Sequence, residues 1–301
     1  MEFGILILNL KLSTLLIQKL KDYQQLMKLN LSMLVVSSSV VGYIIVPDLK
    51  VQFIPVLMLF LGGLLVTSAA NASNEILEVD TDKIMKRTQI RPLPAARMNR
   101  TEAIIFSILT LCIGLAILYT FNLKSALLAL FCYVLYVFVY TPLKKISPIS
   151  VFVGAIPGSL PCLIGWVAAT DHMGSIAAWT LFIIQFFWQF PHFWAIAWIG
   201  HEDYEKAGMK MLPSQGKVGQ FTASQCVLYS AILIPMSALP MVAGLGGWIS
   251  VVGLILGATW MLYKSILFLK DTSDANARQV MFSSFVYLPV VLITLVVDKY
   301  I

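Results

Sequence analysis

Apolar residues run through this chain in blocks of about twenty, separated by short polar intervals. A helix needs about 20 residues to cross the hydrocarbon core of a bilayer. Nine stretches approach that length: 30–47, 52–70, 102–121, 124–141, 149–169, 175–199, 220–242, 246–268 and 279–297. Only the break at Gly244, Gly246 and Gly247 divides the seventh from the eighth. The pattern predicts an all-α polytopic membrane protein, a bundle of nine transmembrane helices, with residues 30–301 as a single integral-membrane domain. Residues 1–29 hold an apolar run from Phe3 to Leu10 that is too short to span and shows no small-residue cleavage site. They read as an uncleaved segment on the cytoplasmic surface, with lysines at the headgroups.

Composition sharpens this reading. Residues of the AVILMFWYC set make up 59% of the chain and charged residues 12%, where soluble domains carry about 25% charge; mean hydropathy is +0.85. Such a chain cannot coat itself against water, which excludes a disordered protein, a secreted disulfide scaffold and a free nucleic-acid binder. Cys112, Cys132, Cys162 and Cys226 lie inside apolar stretches without C-x-x-C spacing and read as packing residues. The net charge of +6 matters less than its placement. With the N-terminus cytoplasmic, 18 of the 21 Lys and Arg residues face the cytoplasm, and only Lys50, Lys124 and Lys299 fall outside. The expected location is the cytoplasmic (inner) membrane, with the C-terminus outside.

The few polar residues gather in three stretches on the cytoplasmic side, at about 71–100, 140–148 and 200–218. In the first, Asn74, Glu78 and Asp82 recur every four residues and share one face if the second span continues as a helix. Carboxylates at that spacing repel unless a cation sits between them, and a hard, oxygen-seeking ion such as Mg2+ relieves the repulsion while recruiting phosphate oxygens. Arg87 and Arg91 follow, with guanidinium groups suited to phosphate. Acids for a metal followed by arginines for an anion describe a diphosphate site; a solvated loop of mixed charge is the alternative that spacing alone leaves open. The second stretch includes Tyr140, Lys144 and Lys145, and the third runs from Gln189 and His192 through His201, Asp203 and Lys206 to Pro213. Together the three would cap an apolar cavity. An isoprenoid tail could lie among the helices while its diphosphate is gripped at the rim, and Trp188, Phe190, Phe193, Trp194 or Tyr140 could face an allylic cation. Gly154, Pro157, Gly158, Pro161 and Gly165 in the fifth span read as close-packing positions.

These residues also carry a resemblance. Asn74-x-x-x-Glu78-x-x-x-Asp82 resembles the N-x-x-x-D-x-x-x-D motif of the UbiA-type intramembrane prenyltransferases. The run from Asp82 through Met85, Arg87, Thr88, Arg91, Pro92 and Leu93 is similar to the D-x-x-M-x-R-T-x-x-R-P-L stretch of the heme-farnesylating branch of that family. Tyr140-Thr141-x-x-Lys144-Lys145, Pro191-His192-Phe193-Trp194-Ala195, and Asp203-Tyr204-x-x-Ala207-Gly208-x-x-Met211-Leu212-Pro213 match the same branch in the same order. Two features depart from the wider family. The middle acid is Glu78 where Asp is usual, and the loop holding Asp203 lacks a D-x-x-x-D, a reduction the heme branch shares.

The resemblance implies a nine-helix UbiA-type bundle with a cytoplasmic cap. It also implies Mg2+-assisted transfer of farnesyl from farnesyl diphosphate to the 2-vinyl group of heme B, with water addition, giving heme O and diphosphate. Asn74, Glu78 and Asp82 would hold Mg2+, with Asp203 for a second ion. Arg87, Arg91, Lys144 and Tyr140 would contact diphosphate, and His192, Lys145 and Lys206 are candidates for heme. Heme B is then a substrate rather than a cofactor, and heme A synthase and haem-copper oxidase assembly proteins are the implied partners. Against this stand a UbiA-type enzyme acting on a phenolic or naphthoic quinone precursor, and a non-catalytic oxidase assembly factor or transporter. Transporters place ionisable groups near the bilayer midplane, whereas the acids here gather at one surface.

Overall fold

The computed structural model describes residues 15–214 and 216–301, so the apolar run from Phe3 to Leu10 lies outside the described residues. All regular elements among them are helical. In chain order they are α1 (Leu15–Leu26), α2 (Leu29–Ile44), α3 (Phe53–Asp82), α4 (Arg100–Tyr119), α5 (Leu123–Val134), a π-helix (Leu135–Tyr140), α6 (Thr141–Ile146), α7 (Ser150–Thr170), α8 (Ile176–Ile199), α9 (His201–Lys206), α10 (Phe221–Met236), α11 (Leu239–Val242), α12 (Trp248–Lys270) and α13 (Asp274–Tyr300). The cores of α4 and its neighbours are built from small residues. In α4, Ala103, Ser107, Thr110, Gly114 and Leu118 form the buried stripe, while Ile105, Ile108, Leu109 and Ile113 are exposed. Large side chains outward and small ones inward is how helices pack in lipid, where association comes from close contact rather than from escape from water.

Seven helices are long and apolar enough to cross a membrane, or eight if the bent pair α1–α2 is taken as one span. The nine predicted from the apolar blocks are therefore not reached on length and composition. Two segments account for the difference. Helix α2 has only 16 residues, and α8 buries Gln185, Gln189 and His192 among its aromatics. Polar residues on the inner face of α8 lower its apolarity without preventing it from lying in the bundle.

Helix α7 is the most buried of the apolar spans and packs against both α2 and α8. A Cβ at Gly165 would lie 1.8 Å from the Ser39 carbonyl oxygen, so only glycine lets α7 approach α2 this closely. Pro157 and Pro161 sit inside α7 and break its hydrogen-bond ladder. Gln189 of α8 donates to the Ala155 carbonyl at 3.2 Å and to Ser159 Oγ at 2.8 Å, and the Cys132 thiol donates to the Pro157 carbonyl at 3.3 Å. Neighbouring side chains thus satisfy backbone that lipid could not. The glycines and prolines of the fifth predicted span serve packing.

Candidate functional site

The last three turns of α3 hold the acidic motif, and the helix continues unbroken to Asp82, as the sequence predicts. Asn74, Glu78 and Asp82 are all buried, with exposures of 2%, 6% and 0%. Burying such groups is costly unless each is paired, and each has its own cation. Lys28 donates to Asn74 Oδ1 at 3.0 Å, Lys144 to Glu78 Oε1 at 2.8 Å, and Arg91 Nη1 to Asp82 Oδ2 at 2.7 Å. Asn74 also donates to Glu78 Oε2 at 2.9 Å, which joins the first two pairs.

Each cation is brought in by a different local device. Lys28 sits at the 48° bend between α1 and α2, in the left-handed region at φ 49°. That conformation costs a residue with a Cβ about 1–2 kcal/mol. Asn71 and Ser32 hold the bend by donating to the Met27 carbonyl at 3.1 and 2.7 Å. The same helix that carries the motif therefore aims the lysine at it. Burial, and then the Arg91 charge, draw the Lys28 ammonium down to about 8.

Arg91 arrives through the loop after α3. Thr88 Oγ1 donates to the Asp82 carbonyl at 3.0 Å and closes the helix end. Met85 is buried against Trp194 and Met211, and Leu93 packs with Leu26, Ala72, Ile76, Met98 and Ala103. The M-x-R-T-x-x-R-P-L run is thus two apolar anchors and one cap, which fold the loop back so that Arg91 returns to Asp82. Arg87 lies outside this fold-back. It is exposed, and its Nη2 reaches only the Tyr204 hydroxyl, at 3.5 Å.

Lys144 follows the π-helix. Pro142 lacks an N–H, and the wide turn before it accommodates that loss. The Tyr136 carbonyl accepts from both the Thr141 N–H and, at 2.9 Å, its Oγ1. Thr141 Oγ1 in turn accepts from Asn74 Nδ2 at 3.1 Å. The Lys144 ammonium lies 4.8 Å over the Tyr140 ring, and Gly154 leaves room for that ring, since a Cβ there would be 2.6 Å from it.

The third polar stretch covers this end of the bundle through backbone, where Lys210 N–H donates to the Lys144 carbonyl at 2.6 Å. Asp203 is half-buried, and among the described residues no ion pair ties it to the acidic motif. Its neighbour Tyr204 makes the contact instead, with Arg87. Lys145 and Lys206 are exposed. His192 stands apart, between α8 and α13. It stacks on Trp188 with centroids 5.1 Å apart and bonds through Nδ1 to Ser284 Oγ at 2.8 Å. The Ser284 hydroxyl also donates to the Met281 carbonyl at 2.6 Å, which leaves its oxygen able to accept from Nδ1. Trp188, Phe190 and Trp194 are buried, not lipid-facing.

Sequence reasoning missed Lys28, Thr141 and Glu75. The signal for Glu75 was its register, three residues before Glu78 and seven before Asp82, on the same face. Lys28 gave only the hint of a lone cation between apolar neighbours. The donor set suits a hard divalent cation, because all its atoms are oxygens and Asp82 Oδ1 is buried with no hydrogen-bond partner. Among the described residues no three His, Cys, Asp or Glu side chains converge as a metal cage. The motif is a ladder, one rung per turn. That fits Mg2+, which takes one or two carboxylates and completes its shell with water and phosphate.

Comparison with known proteins agrees. The UbiA prenyltransferase family model matches residues 35–286. The chain is 42% identical over 285 residues to the protoheme IX farnesyltransferase of Flavobacterium psychrophilum, covering 93% of this chain and 94% of that one. It is 41% identical over 278 residues to that of Cytophaga hutchinsonii, covering 92% and 97%. Among solved structures, a digeranylgeranylglyceryl phosphate synthase superposes with a TM-score of 0.77 at 21% identity, over 94% of this chain and 99% of that one. A UbiA homologue from Archaeoglobus fulgidus bound to GPP and Mg2+ gives 0.62 at 17%, over 91% and 99%. An integral-membrane helical bundle with its buried acids gathered at one end, this chain belongs to the UbiA prenyltransferase family.

Proposed function

We propose that the chain transfers farnesyl from farnesyl diphosphate to the 2-vinyl group of heme B, with addition of water, giving heme O and diphosphate, at the cytoplasmic face of the membrane. The observation that carries the diphosphate half is the paired ladder, in which Asn74, Glu78 and Asp82 meet Lys28, Lys144 and Arg91 in turn and Glu75 flanks Arg91. The heme half rests on relatives above 40% identity that are named protoheme IX farnesyltransferases.

Asn74, Glu78 and Asp82 would hold Mg2+, which supplies charge stabilisation for the departing diphosphate. Lys28, Lys144 and Arg91 each have N–H donors that can pass from a carboxylate to a phosphate oxygen. Arg87, exposed at the mouth, would meet the diphosphate first, and Asp203 would serve a second ion. These cations hold the negative charge that grows as the carbon–oxygen bond breaks. The Tyr140 ring, already beneath an ammonium, offers its face to the allylic cation, with its hydroxyl near the diphosphate. Loop residues 200–212 exclude water until the vinyl carbon attacks. His192 presents Nε2 as a neutral base, suited to heme iron, with Lys145 and Lys206 for the propionates. Haem-copper oxidase assembly proteins are the partners this product implies.

The test is incubation of membranes holding the protein with Mg2+, farnesyl diphosphate, heme B and a phenolic quinone precursor, followed by mass spectrometry. Heme B gaining farnesyl plus water is the expected result. A prenylated phenol instead would keep the diphosphate site and remove the heme assignment.

A further inference from the structure

Glu75 is the one acid of the ladder that the motif does not include. It is fully buried, and neither carboxylate oxygen has a hydrogen-bond partner. Such a group costs several kcal/mol in a packed interior unless an opposite charge compensates it. The opposite charges that compensate it are Lys28 and Arg91, and the Arg91 Nε lies 3.6 Å from Glu75 Oε1. The same guanidinium places Nη1 on Asp82 Oδ2 at 2.7 Å. Glu75 and Asp82 are seven residues apart, two helical turns, so they project almost in line along α3. Arg91 bridges them from the side, and the rest of its N–H donors are left for another anion.

We propose that Glu75 is a positioning residue for diphosphate: it holds the Nε side of Arg91 so that the guanidinium, anchored at Asp82, cannot swing about that single contact. This rests on the reading above that Arg91 grips the diphosphate. A guanidinium tethered at one nitrogen turns freely about it, whereas one tethered at two presents its remaining fork in a fixed plane, and bidentate phosphate recognition depends on that plane. Glu75 touches no reacting atom. Its positioning effect passes through Arg91, while Lys28 shares its charge, so it should appear in diphosphate affinity and not in the affinity for the acceptor.

The experiment compares the purified full chain with Glu75→Gln, Glu75→Asp, Arg91→Ala and the Glu75→Gln/Arg91→Ala pair. For each, KM is measured for farnesyl diphosphate and heme B, along with the inhibition constant of inorganic diphosphate. Glu75→Gln is expected to raise the farnesyl diphosphate KM and the diphosphate inhibition constant together by about tenfold, the scale of one charge-assisted contact. The heme B KM should stay put, and Glu75→Asp should recover part of the loss. In the Arg91→Ala background Glu75→Gln should add nothing. If Glu75→Gln leaves both diphosphate constants within about twofold of wild type while Arg91→Ala raises them, Glu75 has no positioning role. If Arg91→Ala changes neither constant, the reading of Arg91 fails and the proposal goes with it. Equal changes in the constants of both substrates would mark a packing defect and also overturn it. Should Glu75→Gln fail to fold, Glu75→Asp decides alone: a smaller rise confined to the diphosphate constants supports the proposal, and none overturns it.

Discussion

The two ends of the bundle use the same residue types in opposite ways. Away from the acidic motif, Lys299 donates to the carbonyls of Ile44, Val46 and Leu49, the latter two at 2.7 and 3.4 Å. Ile44 is the last residue of α2, and Val46 and Leu49 lie in the segment that follows it, where helical partners run out. Beside it, Asp298 accepts from the N–H groups of Gly247 and Ser250, both at 2.7 Å, and so caps α12 from a neighbouring helix. Lys299 and Asp298 are thus both engaged by backbone that cannot move away. At the motif end, acids and cations engage each other through side chains, with Glu75 and Asp82 Oδ1 left unmet. A charge bound to helix ends is structural. Paired charges with spare donors and acceptors can exchange partners when a metal and an anion arrive together.

Substitutions at the two ends should separate accordingly. Asp82→Asn should have the largest effect, lowering kcat/KM by about 100-fold to 1,000-fold in a time course of heme O formation. An active Asp82→Asn enzyme would remove the motif from the chemistry. Lys28→Met should follow, with a loss of about 10-fold to 100-fold in kcat/KM, as for one charge-assisted hydrogen bond. Wild-type kinetics in that variant would return Lys28 to the membrane surface. Thr141→Val removes a neutral hydrogen bond to Asn74 and should cost about fivefold, the scale of about 1 kcal/mol; an unchanged Mg2+ dependence would show that Asn74 holds its orientation without it. Asp298→Ala at the far end should leave kcat/KM unaltered and destabilise the fold by about 1 kcal/mol, visible as a lower Tm. A kinetic defect there would blur the division between the two ends.

Much of the motif end was legible from the chain. Asn74, Glu78 and Asp82 lie on one continuous helix, so four-residue spacing was enough to place them on one face. Arg91 could be expected nearby, because it follows Asp82 by only nine residues, although the anchors that turn its loop back, Met85 and Leu93, pack against distant helices. Arg87 could not be told from Arg91 by type or spacing; one is exposed and the other returns to the ladder. Lys28 lies 46 residues from Asn74, and Thr141 lies 67 away, so no local pattern could connect them. The count of membrane-crossing helices was less legible. Apolarity marks what faces lipid, and the inward polar face of α8 hides from that measure.

What the sequence determined by itself was whatever depends on period and composition: a helical membrane protein, its polar residues gathered at one end, and an acidic ladder along one face. These follow because helical spacing and the cost of charge in hydrocarbon act locally, residue by residue. Tertiary structure alone decided which cation meets which acid. The bend at Lys28, the π-helix before Lys144 and the fold-back of Arg91 each bring a distant side chain to α3. Burying three carboxylates beside a buried lysine and two half-buried cations is tolerable only when they are assembled together. That condition is met by the packed bundle, and by no segment of it alone.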